Sequence, residues 1–273
     1  MLHPFLVSSS VVTAAMLAGA VPLHLIPRLG SSGRRASDAL CRAPLLDLVI
    51  TYFTVAPLFA GPIFWGWWGL AGAVVGQVAG LIIWTILHEL AHIRSFKGPR
   101  ILTTINRKVG TARNLFAAYW TALCVPIFWL IRVCEVFVYP VLTWVVRLPP
   151  YRNADWVNVS RHKFTGLVGH DMIWCLYCDW MTGVWSLATE MLRNVESFWC
   201  PIRFDSAKKC SNCAIDFPDI ENGWVPATGT MAEVVQTIEE QYPAGQKSRP
   251  WFGHPVRVTV KGKELVAEEA GVS

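Results

Sequence analysis

The stretch Leu45-LDLVITYFTVAPLFAGPIFWGWWGLAGAVVGQVAGLIIWTILHELAH-Ile93 decides the architecture. It is almost continuously apolar, and it is far longer than the roughly 20 residues one membrane crossing needs. The interruptions at Gly61-Pro62 and Gly66 divide it in two, and Trp65, Trp67 and Trp68 cluster there. The pattern predicts a helical hairpin with its tip near Gly66. Basic loops flank both ends: Arg28, Arg34, Arg35 and Arg42 before it, and Arg94, Lys97, Arg100, Arg107, Lys108 and Arg113 after it. Lys and Arg resist translocation, so the ends are expected on the cytoplasmic side and the tryptophan-rich tip on the other.

Outward from the hairpin, Phe5 to Ile26 is long enough for one span and carries no basic n-region of a signal peptide. Leu115 to Leu148 is apolar but broken by Arg132 and Glu135, and it predicts two short spans or a re-entrant pair. The sum is an α-helical integral membrane protein of about five transmembrane helices, with a domain over residues 1–149. Up to Pro149 the chain holds 12 Lys and Arg against four acidic residues; after it, 12 against 15. A basic, acid-poor apolar half followed by a mixed half predicts a membrane domain followed by a small cytosolic α+β domain over 150–273. Basic residues placed between apolar runs point to lipid head groups and exclude a nucleic-acid surface.

In the C-terminal half, Gly166 to Asn194 has an amphipathic helical pattern. Thr230-Met-Ala-Glu233 is a capping box that opens a helix to about Gln241, and Val256 to Val266 alternates around Lys261-Gly262 as a small hairpin.

Two groups of residues could carry chemistry. The first is Thr85-Ile-Leu-His88-Glu89-Leu90-Ala91-His92 at the end of the hairpin. On a helix His88 and His92 share a face, as two imidazoles on one metal ion must, and Glu89 beside them could take a proton from metal-bound water. Alternatively, these are hydrated polar residues at a helix end. With the hairpin tip near residue 67, Asp47 comes level with His88, as a third ligand or as a carboxylate orienting an imidazole, unless it simply caps its own helix. His170 and Glu190 are further candidates for completing the site. The second group is Cys175-Leu-Tyr-Cys178 with Cys210-Ser-Asn-Cys213. Four thiolates at these spacings could hold a Zn²⁺ ion or an iron–sulfur cluster, or be buried free thiols.

The segment His88-Glu-Leu-Ala-His92 resembles the zinc helix of membrane-embedded metallopeptidases, including the site-2 proteases. Glu190-Met-Leu-Arg-Asn194 is similar to the Glu-x-x-x-Asp ligand element of some of them, with Asn at its last position. The resemblance implies Zn²⁺ on His88 and His92, Glu89 as general base, and hydrolysis of a membrane-bound substrate. The same segment also resembles the first histidine box of membrane alkane hydroxylases and desaturases, which implies a non-haem diiron oxidase acting on a lipid-like substrate. A third expectation needs no reaction: a non-catalytic, metal-binding subunit of a larger membrane complex.

Overall fold

The computed structural model describes residues 2–203 and 224–241, together with the backbone of 258–260 and 263–265. Helices dominate: α1 (Leu2–Leu25), α2 (Gly30–Leu40), α3 (Leu45–Ala91), α4 (Ile101–Val109), α5 (Thr111–Val146), α6 (Gly169–Trp199) and α7 (Met231–Gln241). Three helical stretches, Leu2–Arg28, Leu45–Ala91 and Thr111–Val146, are long and apolar enough to cross a membrane.

The expected hairpin is present in α3. At Gly66 the backbone leaves the helix with φ 63° and ψ −161°, a conformation open in practice only to glycine. The two limbs then run back along each other. A Cβ on Gly61 would lie 2.6 Å from the Gly69 carbonyl oxygen. Farther from the tip, Gln77 Nε2 donates to the carbonyls of Phe53 and Thr54 at 2.9 and 2.8 Å. In this way the side-chain N–H groups of Gln77 are satisfied on the facing limb.

α1 lies parallel to the second limb, in a register that recurs every fourth residue. A Cβ on Gly72 would meet Ser8, one on Gly76 would meet Val12, and one on Gly80 would meet Met16. Small residues at a four-residue spacing let helices approach closely, which is how helices associate where no water drives them together. The close approach is reinforced by hydrogen bonds: Ser8 Oγ donates to Gly69 O at 2.7 Å and Thr13 Oγ1 to Gly76 O at 3.1 Å. On the first limb, Tyr52 donates its hydroxyl to Ala15 O at 2.6 Å.

The expectation of about five spans is corrected: the described residues hold three helices long and apolar enough to cross, one of them the two-limbed α3, and α5 is a single helix where two spans were expected. Arg132 and Glu135 do not force a reversal in α5. They sit three residues apart on one helical face and pair with each other at 2.6 Å, with side chains 2% and 1% exposed. The chain passes them with only a short π-helical segment, Cys134–Val138. Opposite charges that pair on one helix give the chain no reason to turn back.

The chain divides into two compact units, neither of them a single stretch: 1–128 with 153–184, and 129–152 with 185–273. In the first, residues 41–43 and 157–159 are joined by backbone hydrogen bonds, Ala43 N to Val157 O at 3.0 Å and Val159 N to Cys41 O at 2.9 Å. In the second, buried Asn194 donates to the hydroxyls of Tyr139 and Tyr151, each at 2.7 Å. Burial pushes the Tyr151 hydroxyl well above the ordinary tyrosine value. The Thr230–Glu233 capping box opens α7 as expected, with Thr230 Oγ1 and Glu233 Oε2 3.0 Å apart. β1 (Val258–Val260) and β2 (Lys263–Leu265) pair antiparallel around residues 261–262. These elements do not by themselves make up the α+β domain expected over 150–273.

Candidate functional site

His88 and His92 project from the last turn of α3, one turn apart, with their rings stacked at 4.3 Å between centroids. A third imidazole, His24, joins them. The register that pairs Ser8 with Gly72, Val12 with Gly76 and Met16 with Gly80 carries on to His24 and His88. The His24 ring lies edge-on to both, at 5.6 Å from His88 and 5.5 Å from His92. Trp84, one turn earlier, stacks on His88 at 4.7 Å. A signal for His24 does exist in the sequence: residues 8, 12, 16 and 24 keep step with 72, 76, 80 and 88.

Both Nδ1 atoms are already committed. The backbone N–H of Gly169 donates to His88 Nδ1 at 3.1 Å. An N–H can only donate, so Nδ1 accepts and the proton of the neutral ring sits on Nε2. A ligating histidine does the reverse, donating its second ring N–H to an acceptor so that the other nitrogen offers a lone pair. His92 has the opposite tautomer. Its Nδ1 lies 3.0 Å from the His88 carbonyl oxygen, to which it must donate, leaving the Nε2 lone pair free of that bond. The two rings therefore do not present matching lone pairs to one ion.

Glu89 is also engaged. Its Oε1 accepts from Arg100 Nη2 at 2.8 Å and from the His170 backbone N–H at 3.3 Å. Arg100 in turn donates from Nε to Asp171 Oδ2 at 2.8 Å and from Nη2 to Val168 O at 3.3 Å, and its guanidinium lies 5.2 Å from the centre of the Phe96 ring. The Arg100 and Asp171 side chains are only 4% and 5% exposed.

Asp171 completes a reciprocal arrangement. Its carboxylate accepts from the backbone N–H groups of Ile101 and Leu102, at 3.1 and 3.0 Å, which open α4. His88 and Glu89 accept from Gly169 and His170, which open α6. The first N–H groups of a helix have no partner inside it, and an acceptor from elsewhere supplies one. Burial pushes the Asp171 carboxyl up, but the His170 ring, Arg100 and the Leu102 N–H outweigh it and hold the group below the ordinary carboxylate value.

The remaining expected residues fall elsewhere. Gly61 facing Gly69 and Phe53 facing Gln77 centre the hairpin on residue 65, which brings Asp47 level with Ile83. That is five residues, or about 7.5 Å, short of His88. His170 stands beside Glu89 and Asp171, but its Nε2 accepts from Trp174 Nε1 at 2.9 Å, so Nδ1 carries the proton, 3.8 Å from Asp171 Oδ1. Glu190 belongs to the second unit, among Tyr139 and Tyr151. Cys175 and Cys178 are one turn apart on α6; Cys210 and Cys213 lie outside the described residues. Among the described residues, no three His, Cys, Asp or Glu side chains are placed to hold a metal ion. The zinc reading does not fit the way His88 and Glu89 use their acceptors. No family model, curated protein or solved structure matches the chain.

Proposed function

We propose that the chain is an integral membrane protein that acts as a non-catalytic subunit of a membrane complex, with the basic loops that flank the α3 hairpin, and the start of α6 that packs on its end, on the cytoplasmic side. In this reading His88-Glu-Leu-Ala-His92 is a structural latch that fastens the end of α3 to the starts of α4 and α6. The observation that carries it is the use of His88 Nδ1 and Glu89 Oε1 as acceptors for Gly169, His170 and Arg100. A general base tied to an arginine is poorly placed to take a proton from water. The excess of Lys and Arg in the loops supports the orientation.

The neighbouring rings of His24, His88 and His92 are behind a second reading, a metalloenzyme whose ion draws them into a ligand set that they do not form as they stand. Zinc would imply hydrolysis of a membrane-bound substrate, and two irons would imply oxidation of a lipid-like one.

Element analysis of the full chain purified in mild detergent separates the two. In the latch reading, His88→Ala and Glu89→Gln leave the metal content of the preparation unchanged and lower its resistance to unfolding. Stoichiometric zinc or iron that disappears in His88→Ala overturns it. For the subunit, native sizing after gentle extraction from the source membrane is expected to exceed what one 30.5 kDa chain accounts for. A lone monomer there overturns that part.

A further inference from the structure

We propose that Cys175 and Cys178 form a redox-active dithiol that exchanges with disulfides, with Cys178 as the attacking thiol and Cys175 as the resolving one. The proposal stands apart from the latch. It rests on where α6 puts two thiols that the described residues do not assemble into a metal site.

Both cysteines lie inside the continuous helix Gly169–Trp199. Residues three apart in an α-helix share a face, with Cα atoms about 5 Å apart from the rise and radius of the helix. Disulfides span Cα separations of about 4.4–6.8 Å, which the pair meets, and Cβ separations of about 3.5–4.5 Å, against about 5–6 Å for helix neighbours, so closing the bond draws this turn in by about 1–2 Å. A metal knuckle needs a turn that wraps the chain around the ion; a straight helical segment does not supply it.

The two thiols differ in a way that assigns their roles. Cys178 is exposed and Cys175 is half-buried. Burial pushes the Cys175 thiol up, although Arg161 stands beside it and pulls the other way. An external disulfide reaches the exposed thiol first, so Cys178 attacks and the half-buried Cys175 resolves. The neighbouring Tyr177 is held in place, its hydroxyl donating to the Thr121 carbonyl at 2.8 Å. This fastens α6 at this turn and keeps the two thiols in one geometry.

The exchange balances without another reactant. The Cys178 thiolate attacks one sulfur of a disulfide R–S–S–R, forming a mixed disulfide and releasing RS⁻, which takes up the proton that Cys178 lost. The Cys175 thiolate then attacks the Cys178 sulfur, closing Cys175–Cys178 and releasing a second RS⁻, which takes the proton of Cys175. The dithiol is oxidised and the external disulfide is reduced to two thiols. In a reducing compartment, a pair of this kind is transient and serves transfer or sensing rather than stability.

The test uses the full chain in detergent, equilibrated with glutathione disulfide, quenched with acid, alkylated and mapped by peptide mass. The expected product is a Cys175–Cys178 disulfide on one peptide, with Cys178 glutathionylated ahead of Cys175 by on the order of tenfold at early times. Cys175→Ser should convert that product entirely into a stable mixed disulfide at Cys178. Cys178→Ser should slow the reaction at position 175 by a similar factor. Persistent glutathionylation of Cys178 in the unaltered chain overturns the proposal, as does equal reaction at both thiols. Protection of both thiols that is lost on adding a zinc chelator also overturns it, because it would make the pair half of a metal site.

Discussion

Replacing Arg100 with methionine keeps most of the side-chain length and removes the guanidinium that bridges Glu89 and Asp171. The guanidinium makes one 2.8 Å bond to each carboxylate and lies within 5.2 Å of Phe96. Each charge-assisted bond contributes roughly 1.5–3 kcal/mol, and removing one partner of a buried ion pair costs roughly 3–5 kcal/mol because the other charge stays behind. Asp171, with its side chain 5% exposed, has little access to water; Glu89, at 18%, can hydrate in part. The expected loss for Arg100→Met is therefore about 3–5 kcal/mol. Arg100→Lys offers one point charge where a planar fork served two carboxylates, and should lose about half as much. Glu89→Gln added to Arg100→Met should recover part of the loss, with a coupling of about 1–3 kcal/mol. Titration of the detergent-solubilised chain with SDS, followed by tryptophan fluorescence and far-ultraviolet circular dichroism, measures all three. A loss below about 1 kcal/mol for Arg100→Met, or strictly additive effects with Glu89→Gln, would refute the latch.

Two further outcomes follow from the same geometry. Gly76→Val would place a Cβ 2.6 Å from the Ser9 carbonyl and 2.9 Å from Val12 Cβ, so α1 must move away; a loss of roughly 1–3 kcal/mol is expected in the same titration, against little change for Gly98→Ala, and equal effects would undo the close-packed seam. The Asp171 carboxyl is held below its unfolded value near 3.9, so its contribution is present above that value and is lost as pH falls through the lower folded one; hydrogen exchange at Ile101 and Leu102 should stay slow from about pH 5 to 8 and rise only below about pH 4, and loss of protection already at pH 6 would assign the titration to another group.

Much of the architecture was legible because it depends on local features. Gly66 between two apolar runs, with tryptophans around it, announces a reversal, and the limbs meet about it at Gly61–Gly69 and Gln77–Phe53. The Thr230–Glu233 box depends on residues three apart. Arg132 and Glu135 misled for the opposite reason. A charge in an apolar run reads as a break only when its partner is overlooked, and here the partner is three residues away on the same helix. The span count fell with that reading.

The site shows where spacing stops being informative. His88, Glu89 and His92 do share the end of one helix, as their order implies. What each of them does is decided by atoms far along the chain: Gly169 and His170 are 81 residues away, and Asp171 reaches Arg100 across 71. A metal site and a helix-capping latch need the same residue types, because both need lone pairs and carboxylates turned toward a positive centre. In one case that centre is an ion, and in the other it is a set of backbone N–H groups and a guanidinium. The sequence carries the acceptors but not the donors that meet them. The direction of one hydrogen bond, from Gly169 into His88 Nδ1, separates the two outcomes. That direction is a property of the packed chain, so the motif gains its meaning only when α6 arrives against the end of α3.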